Sequence, residues 1–406
     1  MSNVKNIFQG LKGDKAIWAI VALLALFSFL PVYSAASNLA YIRGDGNTLR
    51  FLIKHGMHLV LGFAMLYGVH KIPYHYFKGL SVIFLPLVVV LLIVTIAQGT
   101  TVSGAYAARW IKIPFMGVGF QTSTLAAVVL MVYVARYLSR IKDKQVTFKE
   151  TLVPLWLPVG VVLALILPAN FSTTAIIFCM VLMLMFLGGY PLKYLGIIIG
   201  IGIAALLLFV LVVKAFPGTS LSSKVTTWEN RIANFTSEEV DADADYQIEK
   251  AKIAIASGGP FGLGPGKSVQ KNFLPQSSSD FIYAIIVEEF GLLGALFLML
   301  LYLLLLFRIT VIAHKAETIF AKLLVIGVGM PIVFQALINM AVAVELFPVT
   351  GQTLPLVSSG GTSIWMTCLA IGIVLSVSAK RDPKEIKEDA TKEKELNPLD
   401  ILSETI

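Results

Sequence analysis

Charged side chains are scarce in this chain. They make up 14% of its 406 residues, whereas 57% are apolar and the mean hydropathy is +0.82. Soluble domains carry about 25% charged residues, so a soluble globular fold is excluded. Cysteine is nearly absent as well: Cys179 and Cys368 both fall inside apolar segments, which leaves neither a disulfide framework nor a cysteine metal site. No repeat of about 20 to 50 residues is present, and a solenoid is excluded with it. Acids run thin in one place in particular. Between Glu249 and Glu288 the sole acid is Asp280, where the polar stretch LPQSSSD runs into the apolar FIYAIIV.

What is abundant is long apolar runs. A bilayer core is roughly 30 Å thick, and a helix needs about 20 mostly apolar residues to cross it. Ten runs qualify: 16–35, 52–70, 79–98, 120–138, 152–168, 173–188, 194–214, 281–307, 322–345 and 363–379. The expected fold is an all-α polytopic membrane protein. Residues 1–379 form one membrane domain of ten transmembrane helices, with a long extracytoplasmic loop at 215–280. The first run superficially resembles a signal peptide, but a signal core spans only about 7 to 15 residues, so this run is expected to remain as a helix.

With the N-terminus inside, the inner segments carry 20 of the 32 Lys and Arg residues, and the short outer loops carry 5 (Arg43, Arg50, Lys54, Arg109, Lys112). Both termini are therefore expected to be cytoplasmic, in the cytoplasmic (inner) membrane. The other 7 lie in or beside the long loop, which translocates regardless of charge. The net charge of +8 is accounted for in this way and does not indicate nucleic acid. The end of the chain, 380–406, alternates charges without a core and reads as a disordered cytoplasmic tail.

Several segments invite a chemical reading. In the long loop, SEEVDADADYQ reads as mobile, and KAKIAIASGG as a short helix on the outer face of the bilayer. GGPFGLGPGKS looks like a phosphate-binding loop but has Phe261 where the first glycine is required, and no strand precedes it. It is better read as a glycine turn that lets backbone approach a ligand or the membrane. Arg109 and Trp110 are either headgroup-level anchors or, for Arg109, a fork for a lipid pyrophosphate. LFPVTGQTLPLVSSGGTS cannot continue a helix although its flanks are apolar. Irregular backbone at membrane depth is tolerated where it is buried in protein or lines a cavity, so a re-entrant or cavity-lining loop is expected.

The acids complete the set. SSSD before an apolar run places Asp280 at an N-cap or in a first turn, where the helix dipole lowers its basicity and burial raises it. Glu288 lies about 80° and Glu289 about 180° from Asp280 around a helix, so only one of them can share its cavity. For Glu289 a hydrogen bond to a neighbouring helix is the simpler role.

These residues resemble a known family over most of residues 12–380. The matching positions are Gly104, Ala105 and Arg109 to Ile111, then Trp228, Arg231, Tyr246 and Gln247 followed by AIASGGPFGLGPGKSVQK. They continue with Leu274, Pro275, Asp280, Phe281, Glu288, Glu289, Gly291 and Gly294. The last set is Pro348, Thr350, Gly351, Leu354, Pro355, Ser358, Gly360, Gly361 and Ser363. The pattern is similar to that of the SEDS proteins (shape, elongation, division and sporulation), the peptidoglycan glycosyltransferases that include FtsW and RodA. The departures are specific. Gln276 and Ser278 stand where the family usually has an acid and a histidine, Ala127 where it has a lysine, Asn170 where it has an acid, and Ser359 where it has a tyrosine.

The resemblance implies an inverting polymerase of lipid II acting on the outer face of the cytoplasmic membrane and releasing undecaprenyl pyrophosphate. Asp280 is then the expected general base. Arg109, Lys271 and Lys267 are candidates for the pyrophosphate, and Ser358, Ser363 and Glu288 for other substrate contacts. A divalent cation, Mg or Mn, is a possible cofactor, with no ligand cluster legible. The implied partners are lipid II, the undecaprenyl-linked glycan, and a class B penicillin-binding transpeptidase with other division membrane proteins. The tail and the QTLPL segment favour a division role over the elongation role of the paralogue. Two other function classes remain at this point. A flippase would place acids near the bilayer midplane, and a scaffold would not elongate lipid II by itself.

Overall fold

The computed structural model describes residues 11–42, 48–98, 101–102, 105–106, 109–112, 119–142, 144–216, 220–236, 242–274 and 276–379. The expected tail at 380–406 and the acidic stretch Ser237–Asp241 lie outside these residues.

All ten apolar runs are helices. They are α1 Lys15–Ile42, α2 Thr48–Val69, α3 Tyr76–Gln98, α4 Thr122–Ile141, α5 Phe148–Ile166, α6 Phe171–Leu187, α7 Leu192–Ala215, α10 Ile282–Lys315, α11 Ile319–Ala343 and α12 Gly361–Ser378. Among the described residues nine are long and apolar enough to cross a membrane; the tenth, α6, has 17 residues. That is the lower end of the length a spanning helix needs, about 17 residues. The molecule is a multi-pass membrane protein. Pro154, which has no N–H to donate, lies in a π-helical turn at Leu152–Trp156 within α5. At one end of the bundle, Asp14 caps α1 through the Ala16 and Ile17 amides at 2.9 and 3.1 Å and pairs with Arg308 of α10.

Because successive spans alternate in direction, four connections that contain described residues share the opposite end. They are the segment at 99–121, the turn at 167–170, the long connection at 216–281 and the loop at 344–360. The first holds two short hairpins: β1 (Thr101–Val102) pairs with β2 (Ala105–Tyr106), and β3 (Trp110–Lys112) with β4 (Gly119–Gln121).

The long connection is more ordered than its sequence suggested. It contains α8 (Ser220–Thr236), not anticipated, and α9 (Ala242–Gly258), which extends back through the acidic ADADY. Nor does α9 lie simply on the bilayer face. Ala251 and Ala254 are buried against Leu274, Phe281, Ala284, Ile285 and Val342, so small residues let the helix seat closely on the start of α10.

The glycine turn after α9 explains a break in α10. At Gly291 the backbone leaves helical geometry with φ 66°, ψ −167°. Leu263 and Gly264 donate to the freed Glu288 and Glu289 carbonyls, both at 2.9 Å, while Leu292 and Leu293 donate to Gly259 and Pro260 at 2.9 and 3.2 Å. Irregular backbone at this depth is thus satisfied by protein. GGPFGLG approaches a helix, not a ligand. A Cβ on Gly262 would stand 2.2 Å from the Glu289 carbonyl oxygen, which is why only glycine fits.

Candidate active site

Asp280 sits in the turn 276–281, and α10 begins two residues later at Ile282 with Phe281 at the N-cap. The expectation of an N-cap or first-turn role is corrected. The Asp280 amide donates to the Gln276 carbonyl at 3.2 Å, and the side chain is left to face the bundle end. Burial pushes its carboxyl above the usual carboxylate range, against the lowering effects of a Ser279 hydrogen bond and of Arg109 and Arg231. Among the described residues neither arginine closes a salt bridge with it.

Each arginine is anchored by one nitrogen. Arg109 Nε donates to the Ala169 carbonyl at 2.7 Å, which fixes the guanidinium against the α5–α6 turn and not at a headgroup. Arg231, on α8, donates through Nη1 to the Val349 carbonyl at 3.1 Å. Lys224, about two helical turns before Arg231, donates to the Pro168 carbonyl at 3.1 Å. Trp228 holds α8 in place, its ring 4.9 Å from Phe171 and 6.3 Å from Phe209. Desolvation lowers the pKa of all three cations, with mutual repulsion adding to it for Arg109 and Lys224. Positive charge is thus gathered against its own preference, an arrangement an anionic ligand relieves.

The 344–360 loop forms the remaining wall. It dips into the bundle far enough for its Pro355 carbonyl to accept from Tyr302, a buried residue in the middle of α10. Ser358 Oγ donates to the Ser279 carbonyl at 2.6 Å, and Ser359 donates to Ser278 through both its amide and its hydroxyl, each at 2.9 Å. Gly351, with φ 67°, brings its backbone close to the carboxylate; a Cβ there would lie 3.5 Å from Asp280 Oδ2. Behind it a cavity of about 120 Å³ runs between α4, α6, α11 and α12. Its lining carries no charge: Gln121, Thr173, Gln352 and Ser363 are polar, Met131 and Val328 apolar, and Thr124 and Ala127 also face it. A narrower cleft of about 10 Å³ lies beside Arg109, Thr122 and Asn170.

The structure separates Glu288, Lys271 and Lys267 from Asp280, while Ser358 bonds to its turn. Glu288, 1% exposed, accepts from the Ser268 hydroxyl and from the amides of Val269 (2.9 Å) and Gln270 (3.2 Å). Its carboxylate fixes that loop and is not among the groups that act on Asp280. Glu289 accepts from Ser34 on α1, the neighbouring-helix bond expected of it. Lys271 donates to the Gly266 carbonyl at 2.8 Å and to Ser34 at 3.2 Å, and Lys267 lies on the same glycine turn beside Gly264. Both stand with the α10 break and not among the groups that act on Asp280. Ser358 is spent on holding the Asp280 turn, while Ser363, accepting from Thr353 at 2.9 Å, lines the cavity. Reading the sequence missed Arg231 and Lys224 as site residues; Arg231 stood in a matching motif, but nothing placed its loop over the bundle.

Residues 14–382 match the sequence model of the FtsW/RodA/SpoVE family, described as cell cycle protein. The chain belongs to the FtsW/RodA/SpoVE family. Among its relatives is a probable peptidoglycan glycosyltransferase FtsW of Coxiella burnetii, 31% identical over 370 residues that cover 89% of this chain and 95% of that protein. Another of the same description, from Geobacter sp. strain M18, is 31% identical with coverage of 90% and 97%. The fold is shared with a chain from a study of a peptidoglycan synthase complex (TM-score 0.70, 23% identity, 91% of this chain and 99% of that one). It is shared too with RodA of Thermus thermophilus (TM-score 0.63, 23% identity, 91% and 98%). In this member of the FtsW/RodA/SpoVE family, Asp280 and the two arginines stand at one end of the bundle, and the cavity carries Thr124 and Ala127.

Proposed function

We propose that this protein is a peptidoglycan glycosyltransferase that polymerises lipid II on the outer face of the cytoplasmic membrane during cell division. Both termini are then cytoplasmic, and the end of the bundle bearing Asp280 faces outward. The observation that carries the reading is the grouping of one partly buried carboxylate with two anchored guanidinium groups around a wall of backbone and hydroxyls.

The chemistry follows from these charges. The 4-hydroxyl oxygen of a lipid II GlcNAc forms a bond to C1 of the MurNAc on the growing strand, and Asp280 takes the hydroxyl proton. The bond from C1 to the phosphate oxygen breaks with its electron pair, undecaprenyl pyrophosphate leaves, and the anomeric centre inverts. Inversion puts base and leaving group on opposite faces of the sugar, which suits a carboxylate and arginines that do not touch. Arg109 and Arg231 stabilise the negative charge that grows on the pyrophosphate, with Lys224 adding to the field. A raised carboxyl pKa makes Asp280 a better proton acceptor than an ordinary aspartate. The uncharged cavity behind Gly351 offers Gln352 and Ser363 to sugar hydroxyls.

Among the described residues no group of three or more His, Cys, Asp or Glu is placed to hold a metal ion. One carboxylate flanked by two guanidinium groups does not fit a resident Mg²⁺ or Mn²⁺. The partner expected of this enzyme is a class B penicillin-binding transpeptidase that cross-links the strands it makes. The test is polymerisation of lipid II by the purified protein in vesicles. Long glycan strands from this chain alone support the reading; movement of lipid II between leaflets without strand formation would replace it with a transporter.

A further inference from the structure

The Asp280 turn and the 344–360 loop come from different parts of the chain, and one side chain joins them. Asn339, near the end of α11, is 2% exposed. Its Nδ2 donates to the Asp280 carbonyl and to the Gln352 carbonyl, each at 2.7 Å. Only the nitrogen of a side-chain amide offers two donors to two carbonyls, which fixes which way the amide points. Among the described residues the Oδ1 atom is buried without a partner. A buried polar group with an unmatched acceptor is unusual, so the two donated bonds must account for the residue. Gln335, one turn earlier, provides an internal comparison. It donates to the Thr353 carbonyl at 2.9 Å and holds the loop without reaching Asp280.

We propose that Asn339 is a positioning residue for the general base. By holding the Asp280 peptide and residue 352 on one atom, it sets the carboxylate's distance from the Gly351–Gln352 wall and does not itself meet substrate. The inference rests on the reading of Asp280 as the base.

The test is a mutant cycle on the full-length protein in vesicles, measuring kcat and KM for lipid II polymerisation. Asn339→Ala lowers kcat by at least about 10-fold with KM within about twofold, because only the transition-state geometry is lost. In an Asp280→Asn background, adding Asn339→Ala changes the residual rate by less than about twofold, since misplacing a base that is absent costs nothing. An equal loss in both backgrounds would show a merely structural residue and overturn the proposal, as would a wild-type rate for Asn339→Ala. If the alanine variant is not recovered folded, Asn339→Ser, which keeps one donor, is run through the same cycle and judged in the same way. A wild-type rate for Asp280→Asn alone is a failure of the base assignment; additivity on top of a large Asp280→Asn defect is a failure of this inference only.

Discussion

At the scale of single residues, Asp280 combines the properties a base needs, and each has a measurable consequence. Its carboxyl is raised by burial, so it is ionised, and competent as a base, only above that raised value. The acid limb of the pH–rate profile therefore lies above the ordinary aspartate value of about 3.9, and activity falls as pH drops through it. Stability runs the other way. A raised folded-state pKa stabilises the fold below the unfolded value and loses that contribution as pH rises through the folded one. Asp280→Asn thus unfolds at a higher temperature than wild type near pH 7, and the gap closes towards pH 4, as thermal unfolding across pH would show. The arginines predict a different pattern. Arg231→Lys keeps the charge but loses the fork that holds Val349 while facing the site, so a drop in polymerisation of about 10-fold is expected, with no recovery in lower salt.

At the scale of elements, the acids in and just before α10 divide between chemistry and architecture. Glu288→Ala takes the acceptor from the buried Ser268 hydroxyl, at a cost of about 1–3 kcal/mol, and from the part-buried Val269 and Gln270 amides at a smaller one. The expected result is a lower unfolding temperature in detergent with KM for lipid II unchanged; a raised KM with unchanged stability would return Glu288 to the substrate site. All ten spans were legible because apolar runs of bilayer length have few alternative meanings. The loop at 344–360 was legible for a related reason, since TGQTLPLVSSGG between apolar flanks has to be buried in protein. What was hidden depended on contacts between distant segments. Nothing local to GGPFGLG says that its amides complete a broken helix, and nothing in TTWENR says that α8 folds back over Val349. Asn339 reads as an ordinary polar residue near a helix end until the two carbonyls it holds are seen together.

For the whole molecule, sidedness and catalysis test the account together. Glu249 is exposed on α9, in the long connection at the end that carries Asp280, and Lys144 is exposed at the other. With Cys179 and Cys368 replaced by alanine, Glu249→Cys reacts with an impermeant maleimide on intact cells, and Lys144→Cys reacts only after permeabilisation. The reverse pattern would put the site on the wrong side for a wall polymerase. The most direct test of the central claim is glycan synthesis from lipid II by purified wild-type and Asp280→Asn proteins in the same vesicles. A positioned base is worth at least about 10²-fold, so the variant should lose that much rate while still binding lipid II. Strand synthesis by Asp280→Asn at the wild-type rate would contradict the account.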